Sequence, residues 1–193
     1  MSPQALPPSL VYLLGSPGVG KRTVAEALAA QTGAAVIDNH QINLPVMSMF
    51  RWDGKAPLPR ELWGYVDRIR SAVLDALAEI APRDASYVLT NALEVGYEPW
   101  FERIEEIARQ RGALFAPVLL ECELEEQLRR VASEDRVVRL KLSDPDHARE
   151  FIAGTEFYRP TGPTSLVLDT TSRSPDDTAA LVVEHVRPLA APA

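Results

Sequence analysis

A lysine closing a glycine-rich turn is a device for holding a polyphosphate, and the stretch GSPGVGKRT, from Gly15 to Thr23, has that form. Gly15, Gly18 and Gly20 permit backbone angles and a close approach that a side chain would block. Successive amides, helped by the start of the helix KRTVAEALAAQ, then point at phosphate oxygens. Lys21 reaches the β and γ phosphates and supplies charge for their transfer. Gly15, Pro17, Gly18, Val19, Gly20, Lys21, Arg22 and Thr23 are therefore the residues expected around a nucleotide. Arg22 stands where the usual pattern has the hydroxyl that touches magnesium.

Phosphoryl transfer needs positioning and positive charge more than covalent chemistry, together with a base near the acceptor hydroxyl. Asp38 closes the apolar run AAVID, which puts a carboxylate at the ligand-binding edge of a parallel sheet. It is either the base or an outer-shell magnesium ligand, and a turn cap is its plain structural reading. His40 is either a solvated loop residue or a contact to the acceptor. Arg129, Arg130, Arg136, Arg139 and Lys141 lie among acids in EEQLRRVASEDRVVRLKLSD. Such a pattern reads either as exposed helices laced by salt bridges or as a lid that lays arginines over phosphates. Arg136 and Arg139 are the leading phosphate contacts, and Arg129 or Arg130 a stacking partner for adenine. Met47, Met49, Phe50 and Trp52 offer an apolar wall, with Arg51 and Arg60 as anchors for an anionic group. Cys122 reads as a small packed residue, His147 and His185 as surface or packing residues, and no metal-site spacing emerges.

These residues need a frame. LVYLL (10–14), AAVID (34–38), SYVLT (86–90), LFAPVLLE (114–121) and SLVLD (165–169) are continuous apolar runs, as strands covered on both faces should be. Helical spacing links Leu62, Val66, Ile69, Val73, Leu77 and Ile80, and recurs in EPWFERIEEIARQRG up to a C-cap at Gly112. Ser174 and Pro175 open a last helix as N-cap and first residue. Strand and helix alternate, so the expected fold is α/β: a three-layer αβα sandwich around a five-stranded parallel sheet, in one domain over 1–193. Residues 39–60 and 129–150 break the rhythm, as an acceptor-binding insertion and a lid, and residues 1–8 and 188–193 are expected to be loose tails.

The 193 residues carry a formal net charge of -7, which disfavours wholesale binding to nucleic acid or an anionic membrane. One cysteine rules out an internal disulfide and suits a reducing compartment. No apolar run approaches the roughly 18 residues of a membrane span, and MSPQALPPS lacks the layout of a secretory signal. A cytoplasmic protein is expected.

GSPGVGKRT resembles the adenylate-kinase-type loop G-x-P-G-x-G-K-G-T, in which the threonine comes one residue later and Arg22 takes a glycine position. That resemblance implies that Thr23 contacts phosphate and helps with magnesium, while Arg22 either points outward or adds a cation near the phosphates. The order of this loop, a strand ending at Asp38 and an arginine-rich segment resembles the small P-loop kinases, among them shikimate kinase, gluconate kinase, chloramphenicol phosphotransferase and tunicamycin-resistance-like proteins. The sharply specific part is the loop. VIDNHQI is similar to the shikimate-kinase segment F-x-D-x-D-x-I, where the first aspartate works with magnesium and the second grips the acceptor; Asp38 matches the first and His40 stands at the second. LDTTSRSPDDTAALVVEHV resembles the last strand, adenine-bordering loop and last helix of these enzymes. Thr90 and Asn91 stand where many P-loop proteins place a metal-associated aspartate, leaving Asp38 as the main acid and Glu94 as a weaker candidate. No N-K-x-D segment reads guanine, so ATP is preferred to GTP.

The resemblance implies an enzyme that uses ATP and Mg2+ to phosphorylate a hydroxyl or phosphate of a small molecule, acting as a monomer or homodimer. A regulatory ATPase switch and a nucleotide-binding scaffold without turnover are the alternatives from other classes. No heptads, repeats or appended domain favour the switch.

Overall fold

The first strand is surrounded, and its alternation builds two cores at once. β1 (Ser9–Leu14) is buried along its whole length. Leu10, Tyr12 and Leu14 point to one face of the sheet, Val11 and Leu13 to the other. On the Val11 face pack α1 (Lys21–Thr32) and the last helix, α7 (Pro175–Leu189), through Val24, Leu28, Val182 and Val186. On the Tyr12 face pack α3 (Glu61–Glu79) and α4 (Glu98–Arg111), through Leu74, Leu77, Phe101, Ile104 and Ile107. Burial of this aliphatic and aromatic surface is the main force holding the three layers together. The computed structural model describes residues 5–50, 52, 58–134, 136 and 140–189.

The other strands are β2 (Ala35–Asp38), β3 (Tyr87–Asn91), β4 (Leu114–Glu121) and β5 (Leu166–Asp169). All pairs are parallel and the order is β2-β3-β1-β4-β5. The five-stranded α/β sandwich expected from the sequence is the fold observed. The chain runs out to β2, returns to β3 beside β1, then crosses to β4 on the other side. Crossovers therefore diverge at β1, which opens a crevice at the carboxyl ends of the strands, next to Gly15 and Asp38. The caps fall where the sequence puts them. Gly112, at φ 65°, sends its amide back to Ala108, and Ser174 Oγ accepts from the Asp177 amide at 3.1 Å.

Three boundaries differ from expectation. Leu6 is only 8% exposed and the carbonyls of Pro7 and Pro8 accept from Ser86 Oγ and the Leu114 amide, so the start of the fold reaches into the expected tail. At the other end, α7 continues through Pro188 to Leu189. The segment after β2 is regular: α2 (Asn39–Met47) holds Pro45 within it and is followed by a 3-10 turn, Ser48–Phe50. A proline lacks the amide for one helical bond, which is why the sequence reads there as irregular. Both ends of the expected lid are also helical. They are α5 (Leu124–Val131) and α6 (Pro145–Gly154), which share a small cluster of Leu128, Val131 and Ala148. Asp144 caps α6 by accepting from the amides of Asp146 and His147, each at 3.0 Å.

Candidate active site

The glycine loop is pressed against its neighbours rather than standing free. Gly15 has φ 139° and Gly18 φ 90°, both in the region that favours glycine. A Cβ on Gly15 would lie 2.4 Å from the Leu120 carbonyl oxygen, and one on Gly18 would lie 2.8 Å from that of Gln127. Both positions therefore demand glycine twice, for angle and for space. Side chains from distant parts of the chain brace the loop. Ser16 Oγ donates to Gln127 Oε1 at 2.7 Å. Thr170 Oγ1 lies 2.9 Å from the Val19 carbonyl and 3.0 Å from that of Glu121. Arg130 donates to the Thr170 carbonyl at 2.7 Å and to Glu126 at 2.7 Å, so it is tied to the body beside the loop. Gln127 and Thr170 are functional supports that sequence reasoning missed. The doublet Thr170–Thr171 directly after the last strand was the signal that could have found one of them.

Lys21 opens α1 and folds back over the loop, donating to the Gly15 and Ser16 carbonyls at 2.6 and 2.9 Å. Burial pushes its ammonium down to about 7; Arg136 and Lys141 add to that shift, and Asp38 opposes it. Thr23 is exposed, and its hydroxyl donates to the Gly20 carbonyl at 2.8 Å. Asp38 sits at the junction of β2 and α2 and plays its plain structural part as N-cap, accepting from the His40 amide at 3.4 Å. The pairing of β2 with β3 sets Thr90 opposite it, and the Thr90 hydroxyl donates to Asp38 Oδ1 at 2.7 Å. Oδ2 is buried with no hydrogen-bond partner.

These groups meet in one cavity of about 700 Å³. Pro17, Gly18, Gly20, Lys21, Arg22 and Thr23 line it from the glycine loop, and Arg129, Arg130, Arg136 and Lys141 from the arginine-rich segment. Asp38, His40, Met47, Trp52, Leu58 and Trp63 line it as well, from the end of β2 onward. The expected apolar wall is thus partly replaced: Met49 is 77% exposed and Phe50 faces solvent, while Leu58 and Trp63 take their places. Arg60 is exposed at the start of α3, outside the cavity walls. Arg129 pairs with Glu126 at 2.6 Å with its side chain 72% exposed, so of the two adjacent arginines it is Arg130 that is anchored. His147 lines the cavity instead of lying on plain surface. Glu94 does not line it. Glu94 bridges to Phe157 in the backbone, and burial raises its carboxyl above the usual range. Cys122 is a half-buried free thiol and His185 meets the Thr164 carbonyl at 3.0 Å. Arg51 and Arg139 lie outside the described residues.

Behind the Asp38 wall, Arg70 donates to Asn39 Oδ1 at 3.1 Å and packs over the Trp100 ring at 5.0 Å. Asn39 and Asn43, both unremarked in the sequence, line the cavity from α2. Among the described residues no cluster of three acidic, histidine or cysteine side chains could hold a metal by itself. A hard cation bound chiefly by phosphate oxygens and water needs only one or two carboxylates. Asp38, whose buried Oδ2 has no hydrogen-bond partner and lies 3.7 Å from the Arg22 guanidinium, suits that need.

No family model matches the sequence, and no curated protein does. Solved structures do. A gluconokinase from Sinorhizobium meliloti superposes with a TM-score of 0.59 at 18% identity, over 97% of this chain and 95% of that one. The fold is that of the small P-loop kinases. A sugar kinase from Janibacter sp. matches at TM-score 0.57 and 19% identity, over 97% of this chain and all of that one. A shikimate kinase from Acinetobacter baumannii in complex with shikimate matches at 0.55 and 19%, over 97% and 96%. At such identities the likeness is one of architecture. No described helix is long and apolar enough to cross a membrane.

Proposed function

We propose that the protein is an ATP-dependent phosphotransferase that moves the γ-phosphate of ATP to a hydroxyl or phosphate group of a small molecule. One observation carries this reading: the braced glycine loop, Lys21 and Asp38 line a single cavity with room for more than a triphosphate. Lys21 exchanges the carbonyls of Gly15 and Ser16 for phosphate oxygens, keeping its donors satisfied throughout. Arg136, with Arg139, supplies charge over the γ-phosphate and helps exclude water. Asp38 presents Oδ2 either to the acceptor hydroxyl, as base, or to magnesium-bound water. Its Oδ1 is held still by Thr90, which fixes the carboxylate and leaves Oδ2 without a competing hydrogen bond. Magnesium, when bound, screens the β and γ phosphates. His40 and Trp52, which line the same cavity, border the acceptor. A cytoplasmic location fits a free thiol and a supply of ATP.

Thermal shift with a non-hydrolysable ATP analogue, magnesium and a panel of hydroxylated metabolites and antibiotics tests the assignment. A compound that binds the nucleotide-loaded protein raises its melting point further by mass action. Acceptor-dependent ATP turnover is the expected outcome. Turnover indifferent to every acceptor, with distinct ATP and ADP conformations, would favour the regulatory ATPase instead.

The depressed Lys21 also gives a pH signature. A triphosphate beside the ammonium raises its pKa, so the complex holds a proton that the free protein has partly lost. ADP binding at about pH 8 should therefore take up protons, approaching one per site, and the uptake should vanish near pH 6. Affinity is full below about 7 and weakens as pH rises through the free-protein value. Calorimetry in buffers of different ionisation enthalpy reads the proton directly.

A further inference from the structure

Arg22 stands at a position that the sequence pattern gives to glycine, and its guanidinium is placed near a buried carboxylate oxygen that has no hydrogen-bond partner. Its Nε donates to Glu26 Oε1 one turn on, at 2.7 Å, and its Nη1 lies 3.7 Å from Asp38 Oδ2. The Asp38 side chain is 6% exposed, and its other oxygen already accepts from Thr90 and the His40 amide. At 3.7 Å the guanidinium attracts Oδ2 but does not hydrogen-bond to it. Glu26, half in solvent, holds the fork back from closer approach. An arginine cannot shed its charge by losing a proton. A divalent cation that approaches Oδ2 therefore meets a permanent positive charge, while the same charge attracts a polyphosphate that arrives without metal.

We propose that Arg22 is a built-in rival of the divalent cation at Asp38: guanidinium and metal share one carboxylate oxygen, so metal enters only as Arg22 gives way toward Glu26. The consequence is a nucleotide site less dependent on magnesium than the same loop with an uncharged residue at this position. The proposal rests on the reading of Asp38 as the acid that faces the metal.

Titration of the ADP-bound protein with Mn2+, followed by electron paramagnetic resonance, tests it without recourse to activity. Arg22→Gln keeps the helix and removes the charge, and should bind Mn2+ about three- to tenfold more tightly than wild type. Arg22→Lys should behave as wild type, and the gain should disappear in Arg22→Gln combined with Asp38→Asn. ADP affinity measured with magnesium and with EDTA should show a larger metal effect in Arg22→Gln than in wild type. Mn2+ binding no tighter in Arg22→Gln, or a gain that survives loss of the Asp38 charge, would overturn the proposal. Absence of ADP binding in every variant, with or without metal, would overturn the phosphotransferase reading and this role of Arg22 with it, whereas ADP binding with unchanged Mn2+ affinity would overturn the role of Arg22 alone.

Discussion

Lys21→Ala should abolish nucleotide-dependent stabilisation while leaving the free protein at least as stable as wild type. The two halves of this expectation have one cause. In the folded protein the ammonium is pushed down to about 7, from an ordinary value of 10.5. The unfolded chain therefore binds more protons between those two values, and stability contributed by this group rises with pH across that window. At neutral pH the lysine opposes folding, so its removal relieves the fold. Its use comes only with an anion in the loop, where charge-assisted bonds to phosphate are roughly twice as strong as neutral ones. A loss of at least about 100-fold in affinity for an ATP analogue is expected, equivalent to about 3 kcal/mol. Calorimetric titration and thermal melts check both parts; unaltered affinity would remove Lys21 from the site.

Asp38→Asn should split binding from transfer. The amide oxygen can still accept the Thr90 hydroxyl and the His40 amide, so the cap of α2 and the β2–β3 edge should survive. What is lost is the negative charge of a carboxylate that lines the cavity. Binding of ATP should change little, while transfer to an acceptor slows by about two orders of magnitude or more. Single-turnover assays separate the two steps, and turnover at the wild-type rate would strike Asp38 from the catalytic residues.

The parts legible in the sequence are those in which neighbours along the chain are also neighbours in space. Gly15, Gly18, Gly20 and Lys21 make their loop from one continuous stretch, and a continuous apolar strand predicts where Asp38 ends. The supports of that loop are another matter. Gln127 is 111 residues from Ser16, and Thr170 is 151 from Val19. Their roles follow from parallel pairing of β1 with β4 and of β4 with β5, which no local pattern encodes. Leu58 and Trp63 replace Met49 and Phe50 on the cavity wall because the turn after α2 carries the latter pair out to solvent. Leu6 lies in tail-like sequence for want of a hydrophobic run, yet it joins the core cluster that includes α7, and the Pro7 and Pro8 carbonyls beside it are hydrogen-bonded. Arg129 and Arg130 are alike in type; the carbonyls at Thr170 and Thr171 distinguish them.

The amides between β1 and α1 are expected to converge, with Lys21, on a triphosphate. A crystal structure with a non-hydrolysable ATP analogue and magnesium measures that most directly. Triphosphate density cradled by residues 17 to 22, with Lys21 Nζ on its oxygens and the metal beside Asp38, is the expected result. An empty loop in the presence of saturating analogue, or nucleotide bound elsewhere on the protein, would contradict it.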